Sequence, residues 1–330
     1  MTVRIFTNVR LEPELKAKLD KVIAGKDVTL SVLPEEQDKA RREKMMLEQL
    51  AEAEIFWGGY LSPEQFSAAK ALKWIQVTSA GVNHLLSYPE IINSDVTVTN
   101  SAGIMAPAIA DQVLGYILTF SRQLSYMFKQ QERKEWAHSF ADKLPLIELA
   151  GRSVGIIGYG HIGMEIARRA RAFGMKVIAT KNNTEGNFPE VDTLLPSSDL
   201  DKLLKESDYV VMCAPLTPKT EGMLGRAEFE QMKSSAYFIN IARGQLVKEP
   251  ELIEVLREKR IAGAALDVFV QEPLPPESPF WEMENVLITP HSSGNFEHYL
   301  TRACELFAAN LERYFDGKPL INLVDKKRGY

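Results

Sequence analysis

One stretch restricts the fold of this chain more than any other: VGIIGYGHIG, from Val154 to Gly163. Val154 to Ile157 read as an apolar strand. Directly after the glycines, Ile162, Ile166, Ala167, Ala170 and Phe173 recur with the spacing of one buried helix face. In such a strand–turn–helix unit Gly158 permits the tight turn, Gly160 lets a pyrophosphate approach the backbone, and Gly163 lets helix and strand pack closely. The free N–H groups and dipole at the helix start then favour phosphate. A glycine turn without a ligand is the plainer alternative, but strand, turn and helix in register argue against it. Tyr159, His161 and Ile162 complete the cofactor-binding turn, with His161 a filler that presents only its backbone.

The rest of the chain repeats the same grammar. VRIFTN, VTLSVL, EIFWGG, KWIQVTS and VTVTN read as strands separated by helical stretches: residues 11–25, the charged run from Glu35 to Glu54, and SPEQFSAAKAL. SVGIIGYG opens a second series that continues through KVIAT, YVVMCAP, AYFINIA, AGAALDV and VLITP. Alternating strands and helices imply parallel sheets covered on both faces. The expected fold class is therefore α/β with two units. Residues 1–100 and 296–330 would form one, residues 101–295 the other. The apolar stretch Ala106–Arg122 is expected to be a buried helix joining them, and a helix from about Glu297 to Phe315 to pack back onto the first. The polar DKKRGY segment is expected to fray.

A length of 330 residues agrees with about two domains. Hydrophobic and charged fractions of 45% and 25% are ordinary for a soluble globular chain. The net charge of −5 gives no reason to expect a nucleic-acid or membrane partner. An anionic ligand would need a local basic site. The two cysteines, Cys213 and Cys304, imply a reducing compartment without a disulfide framework. MTVRIFTNVRLEPELK has no apolar signal core. No apolar run approaches the ~20 residues of a membrane span. The expected location is cytoplasmic.

The strand KVIAT should end at the residue that recognises the cofactor ribose. An NAD site usually puts Asp or Glu there, about 20 residues past the turn. This chain has Thr180, Lys181, Asn182 and Asn183. A cation in place of the acid suits a 2′-phosphate, with Thr180 and the two asparagines as further donors, so NADP(H) is favoured over NAD(H). An exposed lysine in an enzyme of relaxed cofactor choice is the alternative, since an ammonium is less selective than an arginine fork.

Three polar residues follow in order: Arg243 in INIARGQLV, Glu272 in VFVQEP and His291 in ITPHSSG. An arginine fork can clamp a carboxylate, an imidazole can move a proton, and a carboxylate beside it favours the imidazolium. Each has a dull explanation alone: a turn cap, a loop acid, a structural histidine. All three on loops after strands, downstream of a nucleotide turn, point to hydride transfer on a 2-oxo or 2-hydroxy acid. No metal is expected. The remaining histidines, His84, His138 and His298, read as surface or packing residues.

At these residues the chain resembles the D-isomer-specific 2-hydroxyacid dehydrogenase family, over nearly its whole length. The likeness takes in VTSAGVNHL (77–85), NSAGIMAPAIADQVLG (100–115), the glycine turn, CAPLTPKTEGML (213–224), INIARGQLV (239–247), AALDVFVQEP (264–273) and NVLITPH (285–291). MAPAIADQVLG is most similar to the glyoxylate/hydroxypyruvate reductase branch. The resemblance implies two Rossmann-like domains, the first flavodoxin-like and substrate-binding and the second NAD(P)-binding, with an active cleft between them in a homodimer. It implies Arg243 as carboxylate clamp, His291 as proton donor and Glu272 as its partner. Asp267 would bind the nicotinamide carboxamide. Ser79, Ala80, Gly81 and Val82 would offer backbone N–H groups to the substrate carboxylate. The cofactor set extends to Cys213, Ala214, Pro215, Thr220, Ile241, Ala242, Ser293 and Gly294, although Cys213, in an apolar run, reads as strand packing and not as a nucleophile. Two positions depart from the pattern, Asn83 for Asp and Asp111 for Glu.

Glu272 where a formate dehydrogenase would have Gln, and Ala80 where a phosphite dehydrogenase would have Lys, disfavour those relatives. A corepressor-like, nucleotide-sensing binding protein on the same fold is the non-enzymatic alternative, because the catalytic set can persist in such proteins. The expected substrate is a small 2-oxo acid such as glyoxylate or hydroxypyruvate, or a larger one, with Trp57, Met105, Trp136, Phe280 and Trp281 as pocket-lining candidates.

Overall fold

The computed structural model describes residues 2–136 and 146–329, so His138 lies outside the described residues. The chain divides into two compact units, Met1–Ile104 with Phe296–Tyr330, and Met105–Asn295.

The first unit begins β1 (Val3–Thr7), α1 (Pro13–Ile23), β2 (Val28–Val32), α2 (Lys39–Glu52), β3 (Ile55–Gly58), α3 (Pro63–Ala68), β4 (Trp74–Val77), α4 (Asn83–Leu86), α5 (Pro89–Ile92) and β5 (Thr97–Thr99). Its parallel sheet has the order β2-β1-β3-β4-β5, the doubly wound order of flavodoxin-like folds. The central strands β3 and β4 are buried at every position, as expected for strands covered on both faces. The charged helix α2 starts at Lys39, later than its composition suggests. The Asp38 carboxylate accepts the Arg41 N–H at 2.8 Å and sets the start as an N-cap.

The second unit contains α6 (Ala106–Ser121), α7 (Leu124–Arg133), β6 (Ser153–Ile157), α8 (His161–Ala172), β7 (Lys176–Lys181), β8 (Thr193–Pro196), α9 (Leu200–Glu206), β9 (Tyr209–Met212), α10 (Arg226–Phe229), β10 (Tyr237–Asn240), α11 (Glu249–Arg257), β11 (Gly263–Leu266) and β12 (Val286–Ile288). The sheet order is β12-β11-β10-β9-β6-β7-β8, all parallel. Six of these strands stand out in the sequence. The edge strand β8 does not, because Thr193–Pro196 is short, half-exposed and closed by proline. The apolar helix α6 packs its Ile109, Val113 and Ile117 face with Ile166 and Ala170 of α8 on one face of this sheet. Leu203, Phe229, Leu252 and Val255 from α9, α10 and α11 cover the other.

Strand register explains how motifs scattered along the sequence come together. Thr180, Ile157, Met212, Asn240, Leu266 and Ile288 stand opposite one another in a single row across β7, β6, β9, β10, β11 and β12. All six lie at or next to the carboxyl ends of their strands. The residues that follow them are Lys181, Gly158, Cys213, Ile241, Asp267 and Thr289. One edge of one sheet therefore carries the glycine turn, Lys181 and the loops that bear Arg243, Glu272 and His291.

The last helix, α12 (Tyr299–Phe315), belongs to the first unit. It buries Ala303, Cys304, Phe307 and Leu311 against Ile5, Leu19, Trp57 and Trp74. The Trp57 ring stacks on Phe307 at 4.7 Å and is 0% exposed. Trp57 is thus a core residue and lines no pocket, contrary to the sequence expectation. Phe280 is likewise 1% exposed. Trp136 and Trp281 are exposed.

Candidate active site

The turn after β6 is shaped by its glycines. Gly158 has φ +93°, and a Cβ there would come 2.8 Å from the Ala214 backbone, so only glycine lets the turn lie against the end of β9. A Cβ on Gly163 would meet Ile156 at 3.1 Å, the close helix–strand contact. A Cβ on Gly160 would meet no protein atom, so this backbone faces open space. Gly160 is the N-cap of α8 and has no side-chain cap, which leaves the first amides of the helix for an anion. His161 is exposed at the first turn.

Thr180 sits deeper than expected. It is 2% exposed, and its hydroxyl accepts the Gly158 N–H at 3.2 Å. It braces the turn from within and is not presented at the surface. Lys181 is presented, and its position is fixed. Its Nζ donates to the Tyr159 carbonyl at 2.7 Å and lies 5.9 Å and 5.6 Å from the Tyr159 and Phe188 ring centroids. An ammonium has three donors. One anchors it beside the glycine turn, and cation–π attraction from two rings adds to the anchoring. Asn183 uses its Oδ1 to accept the Glu185 N–H. Cys213 is half-buried, and burial pushes its thiol pKa up, against a nucleophilic role. Thr220 closes its own loop by donating to the Pro215 carbonyl at 2.7 Å.

Arg243 follows β10 on a turn closed by Asn240, whose amide donates to the Arg243 carbonyl at 3.0 Å and accepts the Ala242 N–H at 3.1 Å. A Cβ on the next residue, Gly244, would fall 2.0 Å from the Phe269 carbonyl carbon, so this turn presses on the loop after β11. Burial lowers the Arg243 pKa while the charge of Glu272 raises it. Glu272 faces two ways. Oε1 accepts the Phe269 N–H at 2.9 Å, and Oε2 lies 2.7 Å from Nδ1 of His291. With Nδ1 occupied, Nε2 is the nitrogen left to exchange a proton. The His291 side chain is 47% exposed, so that nitrogen can reach a ligand.

His291 has φ +49°, a left-handed conformation costly for a β-carbon residue. Its N–H donates to the Asp267 and Thr289 carbonyls at 2.8 and 3.1 Å, which holds it there. Asp267, fully buried, organises the same loop. Oδ1 accepts the Thr289 hydroxyl and the Ser292 N–H, and Oδ2 accepts the Ser293 N–H at 3.0 Å. Three of its roughly four acceptor positions are therefore taken within the protein. Thr289 is also bonded to the Tyr116 hydroxyl of α6. Gly294 lies against Met105, whose Sδ would be 3.0 Å from an added Cβ.

The loop after β4, Ser79–Val82, belongs to the first unit. His84 beside it has its ring 6.2 Å from that of Tyr60. Exposed His298 pairs with Glu297 at 3.2 Å. Asp111 accepts from Nε of Arg169 at 2.6 Å, which ties α6 to α8.

Comparison with known proteins decides the family. The family model described as D-isomer specific 2-hydroxyacid dehydrogenase, NAD binding domain, matches residues 114–293. A glyoxylate reductase of Thermofilum pendens is 35% identical over 274 residues, covering 81% of this chain and 79% of that one. This chain belongs to the D-isomer specific 2-hydroxyacid dehydrogenase family. Among solved structures, an NADPH-dependent glyoxylate/hydroxypyruvate reductase from Sinorhizobium meliloti, in complex with NADP and sulfate, is 29% identical with a TM-score of 0.82, covering 100% of both chains. A family member from Lactobacillus delbrueckii in its NAD complexed form is 25% identical with a TM-score of 0.75, covering 98% of this chain and 100% of that one.

The chain is thus an oxidoreductase of the 2-hydroxyacid dehydrogenase type, with an NAD-binding domain. Among the described residues, no helix is long and apolar enough to cross a membrane. Several supporting residues escaped sequence reasoning: Asn240, Thr289, Tyr116 and Phe188. Asn240 and Thr289 stand inside quoted motifs. Tyr116 and Phe188 carry no local signal, since only folding brings them to their partners.

Proposed function

We propose that this family member reduces a small 2-oxo acid to the D-2-hydroxy acid and prefers NADP(H), with glyoxylate and hydroxypyruvate as leading substrates. The observation that carries the reading is the His291–Glu272 pair at 2.7 Å, on the same sheet edge as the glycine turn and Arg243. The open backbone at Gly160 and the uncapped start of α8 fit a dinucleotide pyrophosphate. Lys181 fits a 2′-phosphate. A bound nicotinamide supplies the hydride.

The protein supplies the rest. Arg243 holds the substrate carboxylate through a two-pronged, charge-assisted contact. As the keto carbon is reduced, its oxygen gains charge, and Nε2 of His291 delivers a proton to it. Glu272 keeps the ring oriented and offsets the positive charge on the imidazolium. Arg243 stabilises the developing oxyanion. Asp267 fixes the loop from which His291 acts.

Initial rates with NADPH and NADH against glyoxylate, hydroxypyruvate, pyruvate and phenylpyruvate test this reading. NADPH is expected to be the better cofactor. Lys181→Ala should lower kcat/KM for NADPH by roughly 10- to 100-fold, the loss of one charged hydrogen bond, and change the NADH value little. Equal losses with both nucleotides would overturn the role of Lys181. Tight nucleotide binding with no turnover of any 2-oxo acid would favour the sensing alternative.

A further inference from the structure

Residues 322–326, after α12, are held against the first unit. Leu323 bridges Thr99 in antiparallel fashion, the Val324 N–H donates to the Val98 carbonyl at 2.9 Å, and the Asn100 N–H donates to the Asn322 carbonyl at 3.2 Å. Residues 322–324 thus run along β5, the edge strand of the first sheet. Nζ of Lys326 donates to the carbonyls of Ile91, Ser94 and Val96. A polar composition suggested a free end, but a lysine ringed by three carbonyls is anchored. Asn322 has φ +57°, and its amide nitrogen donates to the carbonyls of Asn100 and Ala102 at 3.3 and 2.7 Å.

Asn322 holds Asn100 and Ala102, on either side of Ser101, and Asn100 and Ser101 hold the loop Ser79–Val82. The Ser101 N–H donates to the Ser79 carbonyl at 2.9 Å, and the Asn100 amide nitrogen donates to the Ala80 carbonyl at 2.9 Å. The Ser79 hydroxyl donates to the Gly81 carbonyl at 2.8 Å. A trans peptide puts each C=O and the following N–H on opposite sides. Fixing these three carbonyls therefore turns the N–H groups of Ala80, Gly81 and Val82 away from their partners.

We propose that Ile321–Lys326 is a strap that positions the substrate loop, with Asn322 its positioning residue, acting through Asn100 and Ser101. The inference rests on the reading of Ser79–Val82 as the loop that binds the substrate carboxylate. The strap sets the direction of the loop amides, and so bears on affinity for the 2-oxo acid and not for the nucleotide.

Asn322→Gly in the full chain tests it. Glycine keeps the left-handed backbone and the carbonyl that accepts from Asn100, and removes only the two amide donations. Hydrogen–deuterium exchange of the Ser101 N–H, which donates to the Ser79 carbonyl, should quicken about tenfold in this variant. KM for the 2-oxo acid should rise about tenfold, with the nucleotide KM within about twofold. Unchanged exchange at Ser101 would overturn the strap, whatever the kinetics. Ala80→Asp, which sets a carboxylate in the loop, tests the underlying reading separately. If it raises the substrate KM while Asn322→Gly does not, the strap has no role in substrate positioning. If Ala80→Asp leaves the substrate KM unchanged, the assignment of the loop falls, and exchange alone decides whether the strap holds it.

Discussion

Replacing His291 with alanine is expected to lower turnover by about a thousandfold, within the span typical of a lost general acid. Nucleotide affinity should stay within about twofold, because binding and proton transfer fall to different residues in this account. The expectation follows from how much structure is committed to one ring. Its backbone is held in a left-handed conformation by two carbonyls. Its Nδ1 is taken by Glu272, and its loop is fastened through Asp267 to Thr289, Ser292 and Ser293. Such bracing fits a group that must present Nε2 in one direction. The alanine side chain removes the proton donor and leaves the Asp267 bonds intact, so the glycine turn should still bind nucleotide. Steady-state rates, with a fluorescence titration of NADPH, check both halves. Turnover near the wild-type level would remove His291 from the chemistry.

Arg243→Ala is the second large effect. Truncating one partner of a buried, hydrogen-bonded charge pair costs about 2–5 kcal/mol, which is roughly a 30- to 5,000-fold loss in kcat/KM for the 2-oxo acid. Arg243→Lys should recover only part of it. The charge returns, but the planar fork that matches a carboxylate does not. The turn itself should survive both changes, because Asn240 holds it through the backbone of residues 242 and 243. The nucleotide KM is therefore expected to move little. If Arg243→Lys behaved like wild type, a point charge would suffice and the two-pronged clamp would be wrong.

What could be read from sequence, and what could not, follows from the range of the interactions. The glycine turn is local: strand, turn and helix lie within about twenty residues, and its steric demands stay inside that window apart from the contact of Gly158 with Ala214. The alternation of strands and helices, too, is written in short periods, so the α/β class was legible. Arg243, Glu272 and His291 could be picked out because each sits in a motif at a strand end, although only the register row explains why those ends share one edge. The bracing could not be read. Tyr116 and Thr289 are 173 positions apart, and Asp267 and Thr289 are 22 apart. A carboxylate committed to three protein donors looks the same in sequence as one waiting for a ligand. Trp57 was misjudged for a similar reason. Composition marks it as large and apolar, but only the return of α12 shows that Phe307 covers it. The segment after α12 was misjudged because its charges suggest solvent, while Lys326 finds carbonyls more than 200 positions earlier.

The most direct test of the central claim is to follow the hydrogen itself. NADPH deuterated at C4 of the nicotinamide, on the face that is transferred, is incubated with the protein and hydroxypyruvate. The product is analysed by NMR and chiral separation. D-glycerate carrying deuterium at C2 is the expected product. Product without deuterium at C2 would contradict hydride transfer to the keto carbon, and an L-configured product would contradict the D-specificity proposed from the family.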